Sequence, residues 1–231
     1  MKRDKMPNKV YEQLKNEILL LDIKPGEMLS EIELSNRFKV SRTPIRDALI
    51  RLQNEGLIEV RPHIGTFVTL IDFDLITDVI YMREKLEKAI IGDLIENPNQ
   101  LVHLSLKLSV EAQKKIIESD LNANEKAKRF MEMDNEFHKF IFKMNNKENV
   151  WNYLDNIRTH YDRLRMFLND DSPETLNRLY YEHMEIVESI ISGKKEDAFN
   201  IYDKHLYYGI QQGAEMILNH KHYFKELKDL I

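Results

Sequence analysis

One change of spacing limits the fold more than any other feature of this chain: apolar residues recur at helical and then at strand intervals up to Leu70, and only at helical intervals beyond it. Val10, Leu14, Ile18 and Leu21 share one helical stripe that Lys24-Pro25-Gly26 stops, so a first helix is expected from Lys9. Ser30 and Glu33 form an S-x-x-E capping box, and Ile32, Leu34 and Phe38 carry a short second helix to about Lys39. Val40-Ser41 makes a turn. Ser41 suits an N-cap and Pro44 a first helical turn, so a third helix is expected from Arg42 to Asn54, with Ile45, Leu49 and Leu52 inward and Gly56 as its stop. Two β-prone runs, 57–60 and 66–70, flank Arg61-Pro62-His63-Ile64-Gly65, whose Pro and Gly suit a tight hairpin. Three helices and a hairpin make a winged helix-turn-helix over residues 1–70, followed by a linker over 71–74.

Beyond it, helical patterns are interrupted at Asn97-Pro98-Asn99, 120–124, Asn145-Asn146, 170–173 and Ser192-Gly193. That spacing predicts about six helices over 75–231, and connections this short favour an all-helical antiparallel bundle. The fold class is therefore mainly α, which the scarcity of glycine (7) and proline (6) supports.

The chain has no cysteine, which excludes disulfides, thiolate zinc sites and cysteine nucleophiles and fits a reducing cytoplasm. The first ten residues are charged and carry no apolar run. The longest early apolar run, Ile18 to Leu21, is too short for a membrane, so a cytoplasmic protein without membrane association is expected. The net charge of −5 is unevenly spread. Residues 1–70 hold 12 Lys+Arg against 10 Asp+Glu, or +2, and the remainder 22 against 29, or −7. The acidity lies outside the winged segment, so the overall charge does not argue against nucleic acid.

In a helix-turn-helix, the N-terminal residues of the second helix of the pair reach base edges and phosphates in the major groove. Here those are Ser41, Arg42, Thr43 and Arg46. Arginine can fork onto guanine O6 and N7, and hydroxyls and free amides at a helix start suit phosphate oxygens. The hairpin would lay His63 and Gly65 on the adjacent groove. Taken alone, the same residues also read as a helix cap and a solvated face.

In the C-terminal part, Asp134 and His138 stand four apart on a helix face shared with Phe137 and Ile141. His183 falls beside Ile186, Val187 and Ile190, and His205 beside Ile201, Tyr202 and Leu206, each inward by periodicity. One carboxylate and three imidazoles on three helices suit a divalent metal such as Zn, Ni or Mn, and equally suit a hydrogen-bonded polar core. Arg83 lies on the apolar stripe of Val79, Leu86 and Ile90, where it would take an effector carboxylate or pair with Glu87 four residues on. Arg158, Tyr161 and Arg165 read either as lining of the same effector site or, the favoured reading, as a solvated helix face. His103, His160, His220 and His222 belong to no constellation.

The segment from Leu19 to Val68 resembles the DNA-binding domain of the GntR family of bacterial regulators. It shares the elements Pro25-Gly26-Glu27-x-Leu29-Ser30-Glu31, Val40-Ser41-Arg42-Thr43-Pro44-x-Arg46-x-Ala48-Leu49, Glu55-Gly56-Leu57 and Gly65-x-Phe67-Val68. The resemblance implies operator contacts by Arg42, Thr43 and Arg46, with His63 and Gly65 in the wing. Some members carry a further DNA-contacting arginine where this chain has Ile32. Residues 75–220 resemble the all-helical FCD effector domain, whose D-x-x-x-H, E-H-x-x-I-x-x-x-I and H-L elements stand at Asp134–His138, Glu182–Ile190 and His205-Leu206. This resemblance implies a metal on Asp134, His138, His183 and His205 above a cavity for a small organic acid, and a homodimer. The expected function is a transcriptional regulator that binds double-stranded operator DNA under control of such an effector. The alternatives are a regulator whose effector is the ion itself, a purely structural metal, or a metal-dependent enzyme. The winged segment argues against the enzyme, as does the lack of a second base at a telling spacing.

Overall fold

The computed structural model describes residues 5–168 and 173–225. Residues 170–172 of the expected break at 170–173, and the chain ends 1–4 and 226–231, lie outside the described residues. Helix α1 (Lys5–Leu19) buries Val10, Leu14 and Ile18. It begins before Lys9 and ends before Leu21, which adopts φ +58° and turns the chain away. Helix α2 (Glu31–Phe38) is capped by Ser30, whose Oγ accepts from the Glu33 amide at 3.4 Å, and closes on Lys39 in the left-handed region. Helix α3 (Arg42–Asn54) buries Ile45, Ala48, Leu49 and Leu52 and stops at Gly56, φ +72°.

The wing has three strands where two were expected. A two-residue strand β1 (Met28–Leu29), too short to show a period, pairs antiparallel with β3 (Gly65–Val68), which pairs on its other edge with β2 (Ile58–Arg61). Register places Ile58 opposite Val68, both buried, so the sheet closes one small core with α1 to α3.

Eight helices follow among the described residues: α4 (Phe73–Glu96), α5 (Gln100–Ile117), α6 (Ala123–Met144), α7 (Glu148–Ile157), α8 (Thr159–Leu168), α9 (Pro173–Ile191), α10 (Lys195–Gln212) and α11 (Ala214–Asn219). A 3₁₀ turn over Lys221–Tyr223 comes last. The two extra helices come from breaks at Arg158 and Gly213. Both keep φ and ψ near −85° and 0–10°, so Arg158 needed no Gly or Pro to mark its break. Gly213 answers to packing instead, because a Cβ there would meet Leu168 Cδ2 at 2.2 Å. Asn99 and Asn122 cap α5 and α6, which explains why these polar clusters read as interruptions. Helix α4 packs across α6, α8 and α10, and α5 against α6 and α9, around a second, larger apolar core. None of the helices described is long and apolar enough to cross a membrane.

Candidate DNA-reading face and metal centre

Ser41, Arg42 and Thr43 are all exposed at the start of α3. Although Ser41 occupies the N-cap, its side chain makes no capping hydrogen bond, unlike Ser30 at the head of α2. With no side-chain cap from Ser41, the amides of Arg42 and Thr43 remain donors for an anion, and Pro44, third in the helix, has no N–H to offer. Arg46 is exposed, and its Nε donates to both carboxylate oxygens of Glu31, at 3.1 and 2.9 Å, tying α3 to the first turn of α2. His63 sits in the hairpin turn at φ +62°, and Gly65 opens β3 at φ +152°. Gly65 is required there, since its φ is open only to glycine and a Cβ would press on Met28 Sδ at 3.3 Å. Ile32 is exposed beside this face.

In the helical domain, α6 brings Asp134 and His138 to His183 of α9 and His205 of α10, all four buried, with ligand atoms within 4.8 Å of one another. His183 Nε2 stands 3.2 Å from His205 Nε2, which stands 3.3 Å from His138 Nε2. Each Nδ1 faces an acceptor: Glu87 Oε2 at 2.5 Å from His138, Gln113 Oε1 at 2.8 Å from His183 and Glu182 Oε2 at 2.9 Å from His205. Three Nδ1–H groups that donate outward leave three Nε2 lone pairs converging on one another. Burial, with His205 close by, holds His183 well below the ordinary histidine range. Burial and Arg83 bring His138 to about 4 against the pull of Glu87. Neither of these two rings carries a proton that would relieve the convergence.

Burial alone would raise Asp134, but the Arg165 guanidinium holds it well below the usual carboxylate range. Its Oδ2 accepts from Arg165, while Oδ1 is buried without a hydrogen-bond partner, 3.5 Å from His183 Nε2. An orphan carboxylate oxygen and three facing lone pairs are the donor set that a divalent cation satisfies at once. The outward bonds to Glu87, Gln113 and Glu182 are the supporting shell that fixes such ligands.

Beside His205 lies a cavity of about 40 Å³, lined by Tyr161, Arg165 and Arg178 and by apolar side chains such as Leu179 and Ile210. Arg83 does not line it. Its Nε donates to Glu87 at 2.6 Å and its Nη1 to the Tyr161 hydroxyl at 2.9 Å, while Nη2 is buried without a partner.

Residues 7–68 match the bacterial regulatory proteins of the gntR family, and residues 78–207 match the FCD domain. A helix-turn-helix transcriptional regulator in an unstable DNA locus of Streptomyces ambofaciens is 32% identical over 186 residues, 80% of this chain and 75% of that protein. The chain belongs to the GntR family. The transcriptional repressor RspR of Escherichia coli is 28% identical to this regulator over 78% of the chain and 77% of its own length. Among solved structures, Escherichia coli McbR/YncC superposes with a TM-score of 0.70 at 18% identity, covering 91% of this chain and 98% of that one. A GntR regulator from Rhodococcus sp. RHA1 also reaches 0.70, at 20% identity over 95% and 99%. These likenesses establish the fold, and the family establishes a DNA-binding transcriptional regulator, not an enzyme.

For this GntR regulator, reading Arg158, Tyr161 and Arg165 as a solvated face is corrected by the structure, which buries Arg158 and Tyr161 and points Arg165 at Asp134. The signal missed was that α8 is a separate short helix, so its polar residues follow a phase of their own. Glu87 and Gln113 were missed as partners of the histidines, although each lies on an apolar stripe where a polar side chain needs a reason. His160, assigned to no constellation, is buried at the junction between the two cores.

Proposed function

We propose that this regulator binds operator DNA as a homodimer in the cytoplasm, and that a small organic acid held at a divalent metal in the helical domain modulates that binding. The observation that carries the proposal is the convergence of three Nε2 atoms whose Nδ1 partners are already committed. Asp134, His138, His183 and His205 would hold the ion, with Zn, Ni or Mn suited to such N and O ligands. When bound, the metal would supply a positive charge for an effector carboxylate. Arg165 and Arg178 add positive charge on the cavity wall, and Arg83 backs Tyr161 with one donor unspent. The cavity beside the cluster is what favours an organic effector over the ion alone.

Ser41, Arg42, Thr43, Arg46, His63 and Gly65 form the DNA-reading face, and residues 1–70, 71–74 and 75–231 serve as reading head, linker and effector domain. Two heads on a two-fold axis match a palindromic operator and multiply two weak affinities. Elemental analysis and thermal melting with and without a chelator test the site. An ion that binds only the native chain adds about 2.7 kcal/mol of stability at a hundredfold excess over its Kd. His183→Ala should lose that increment while keeping metal-free operator binding. Wild type reloaded with Zn, Ni or Mn that shows neither bound metal nor a chelator-sensitive melting temperature would reduce the cluster to a polar core.

A further inference from the structure

Arg163 is a fully buried cation that no acidic side chain among the described residues pairs with. Its Nη1 donates to the Thr69 carbonyl at 2.6 Å, and its Nη2 to Thr69 Oγ1 at 3.2 Å and His160 Nδ1 at 3.0 Å. Nε has no partner. Burial lowers its pKa to about 10, consistent with a guanidinium held inside without an anion. Such a group is costly, and a well-packed apolar side chain would serve stability at least as well. Its position suggests what it does there.

Thr69 is the first residue after β3, on the path into α4. Its hydroxyl donates to the Gly56 carbonyl at 2.7 Å, where α3 stops, and its amide to the Leu57 carbonyl at 3.0 Å. The Arg163 guanidinium is thus one residue removed from the C-terminal end of the helix that reads DNA. On the same helix α8, His160 Nδ1 accepts from the amide of Asp72, the N-cap of α4, at 3.0 Å. Arg165 lies two residues on, about 200° around the helix, and holds Asp134. One face of a ten-residue helix therefore grips the exit of the winged head, and the opposite face grips a residue of the Asp/His cluster.

We infer that Arg163 is a positioning residue for DNA reading: it latches the winged head to α8, and through α8 ties the pose of the head to the Asp134–His138–His183–His205 cluster. The tie to the cluster rests on the metal reading above, whereas the latch itself does not.

Calorimetry and hydrogen exchange on the full chain test it. Wild type should unfold in one transition. Arg163→Met should split it in two, the head unfolding first, with α3 amides exchanging at least tenfold faster relative to those of α6. Arg163→Lys keeps a donor for the Thr69 carbonyl and should restore the single transition. A residue that merely added stability would lower one transition without splitting it. Thr69→Val, which removes the hydroxyl shared by Arg163 and Gly56, should loosen the head in the same sense and decides the matter should Arg163→Met not fold. A single transition with the wild-type ratio of exchange in these variants, or two transitions in wild type, would overturn the latch. With Zn²⁺ added, exchange should slow in both α3 and α6 of wild type but only in α6 of Arg163→Met, and equal slowing of α3 in both proteins would overturn the tie to the cluster. Zn²⁺ that slows neither helix in wild type would sink the metal reading and, with it, the tie to the cluster, and leave the latch to be judged on the splitting alone.

Discussion

The reading head and the helical domain use charge in opposite ways. In the head, Arg42, Arg46 and Arg61 stand at the surface, and the ion pairs of the latter two, with Glu31 and Glu59, are open to water. In the helical domain, Arg83, Glu87, Asp134 and Arg163 are completely or almost completely buried, and each is fixed by partners from distant parts of the chain. Surface charges are available to a ligand and contribute little to folding, whereas buried ones hold a site rigid and are expensive to leave unpaired. The contrast separates a surface whose charges stay open to a partner from an interior whose charges are fixed against one another.

The most severe break of that contrast is Arg83→Met. It removes the guanidinium from Glu87 in a pair whose side chains are 2% and 0% exposed, and should cost about 3–5 kcal/mol in urea unfolding. Arg61→Met, which breaks an exposed pair of the same chemistry in the wing, should cost about 1 kcal/mol at most. Equal losses from the two variants would mean that burial does not set the difference.

Acid should separate the regions next. The native helical domain keeps His138 neutral down to about pH 4 and holds His183 well below the ordinary histidine range, whereas the unfolded chain protonates both near their ordinary pKa of about 6.5. Between these limits the unfolded state binds protons that the native state refuses, so stability falls as pH falls, by about 1.4 kcal/mol per pH unit for each such histidine. The head holds a single histidine, His63, which is exposed. Urea titrations of chelated protein at pH 7, 6 and 5 read the slope, and flat stability across them would show that these rings are not held neutral.

The same contrast explains how much could be read from sequence. The head was legible almost throughout because its signals are local: Ser30 caps α2 three residues before Glu33, and Gly56 stops α3 where the period ends. Only β1 was hidden, since a two-residue strand exists through its pairing with Phe67 and Thr66. In the helical domain, periodicity turned the four ligand candidates inward, and the structure places them together. Their supporting partners were not legible, because Glu87 meets His138 across 51 residues and Gln113 meets His183 across 70. Nothing in the sequence near Arg165 announces that it will meet Asp134.

At the reading face the expected effects shift from stability to affinity. Arg46→Ala should weaken operator binding by about 1–3 kcal/mol and relax base preference if the side chain forks onto a guanine. Its partner Glu31 is itself partly exposed, so folding stability should change by less than about 1 kcal/mol. Fluorescence anisotropy with specific and scrambled duplexes distinguishes the cases. Unchanged binding to both, in a folded variant, would remove Arg46 from the reading face.

The finest form of the comparison lies within the head, between its two N-cap serines. Ser30 Oγ accepts from the Glu33 amide, so Ser30→Ala should cost about 1 kcal/mol of stability, the usual loss of a cap. Ser41 holds the equivalent position on α3 and makes no such bond, so Ser41→Ala should change stability by no more than about 0.5 kcal/mol. Its hydroxyl is instead free for a phosphate oxygen, and losing it should weaken specific and non-specific DNA alike by about 1 kcal/mol. A neutral hydroxyl releases no counterion, so the salt dependence should stay at its wild-type slope, whereas Arg42→Ala, if that side chain sits on a phosphate, should lower the slope by about 1. Ser41→Ala that loses as much stability as Ser30→Ala, and no affinity for DNA, would make Ser41 an ordinary cap and take it off the reading face.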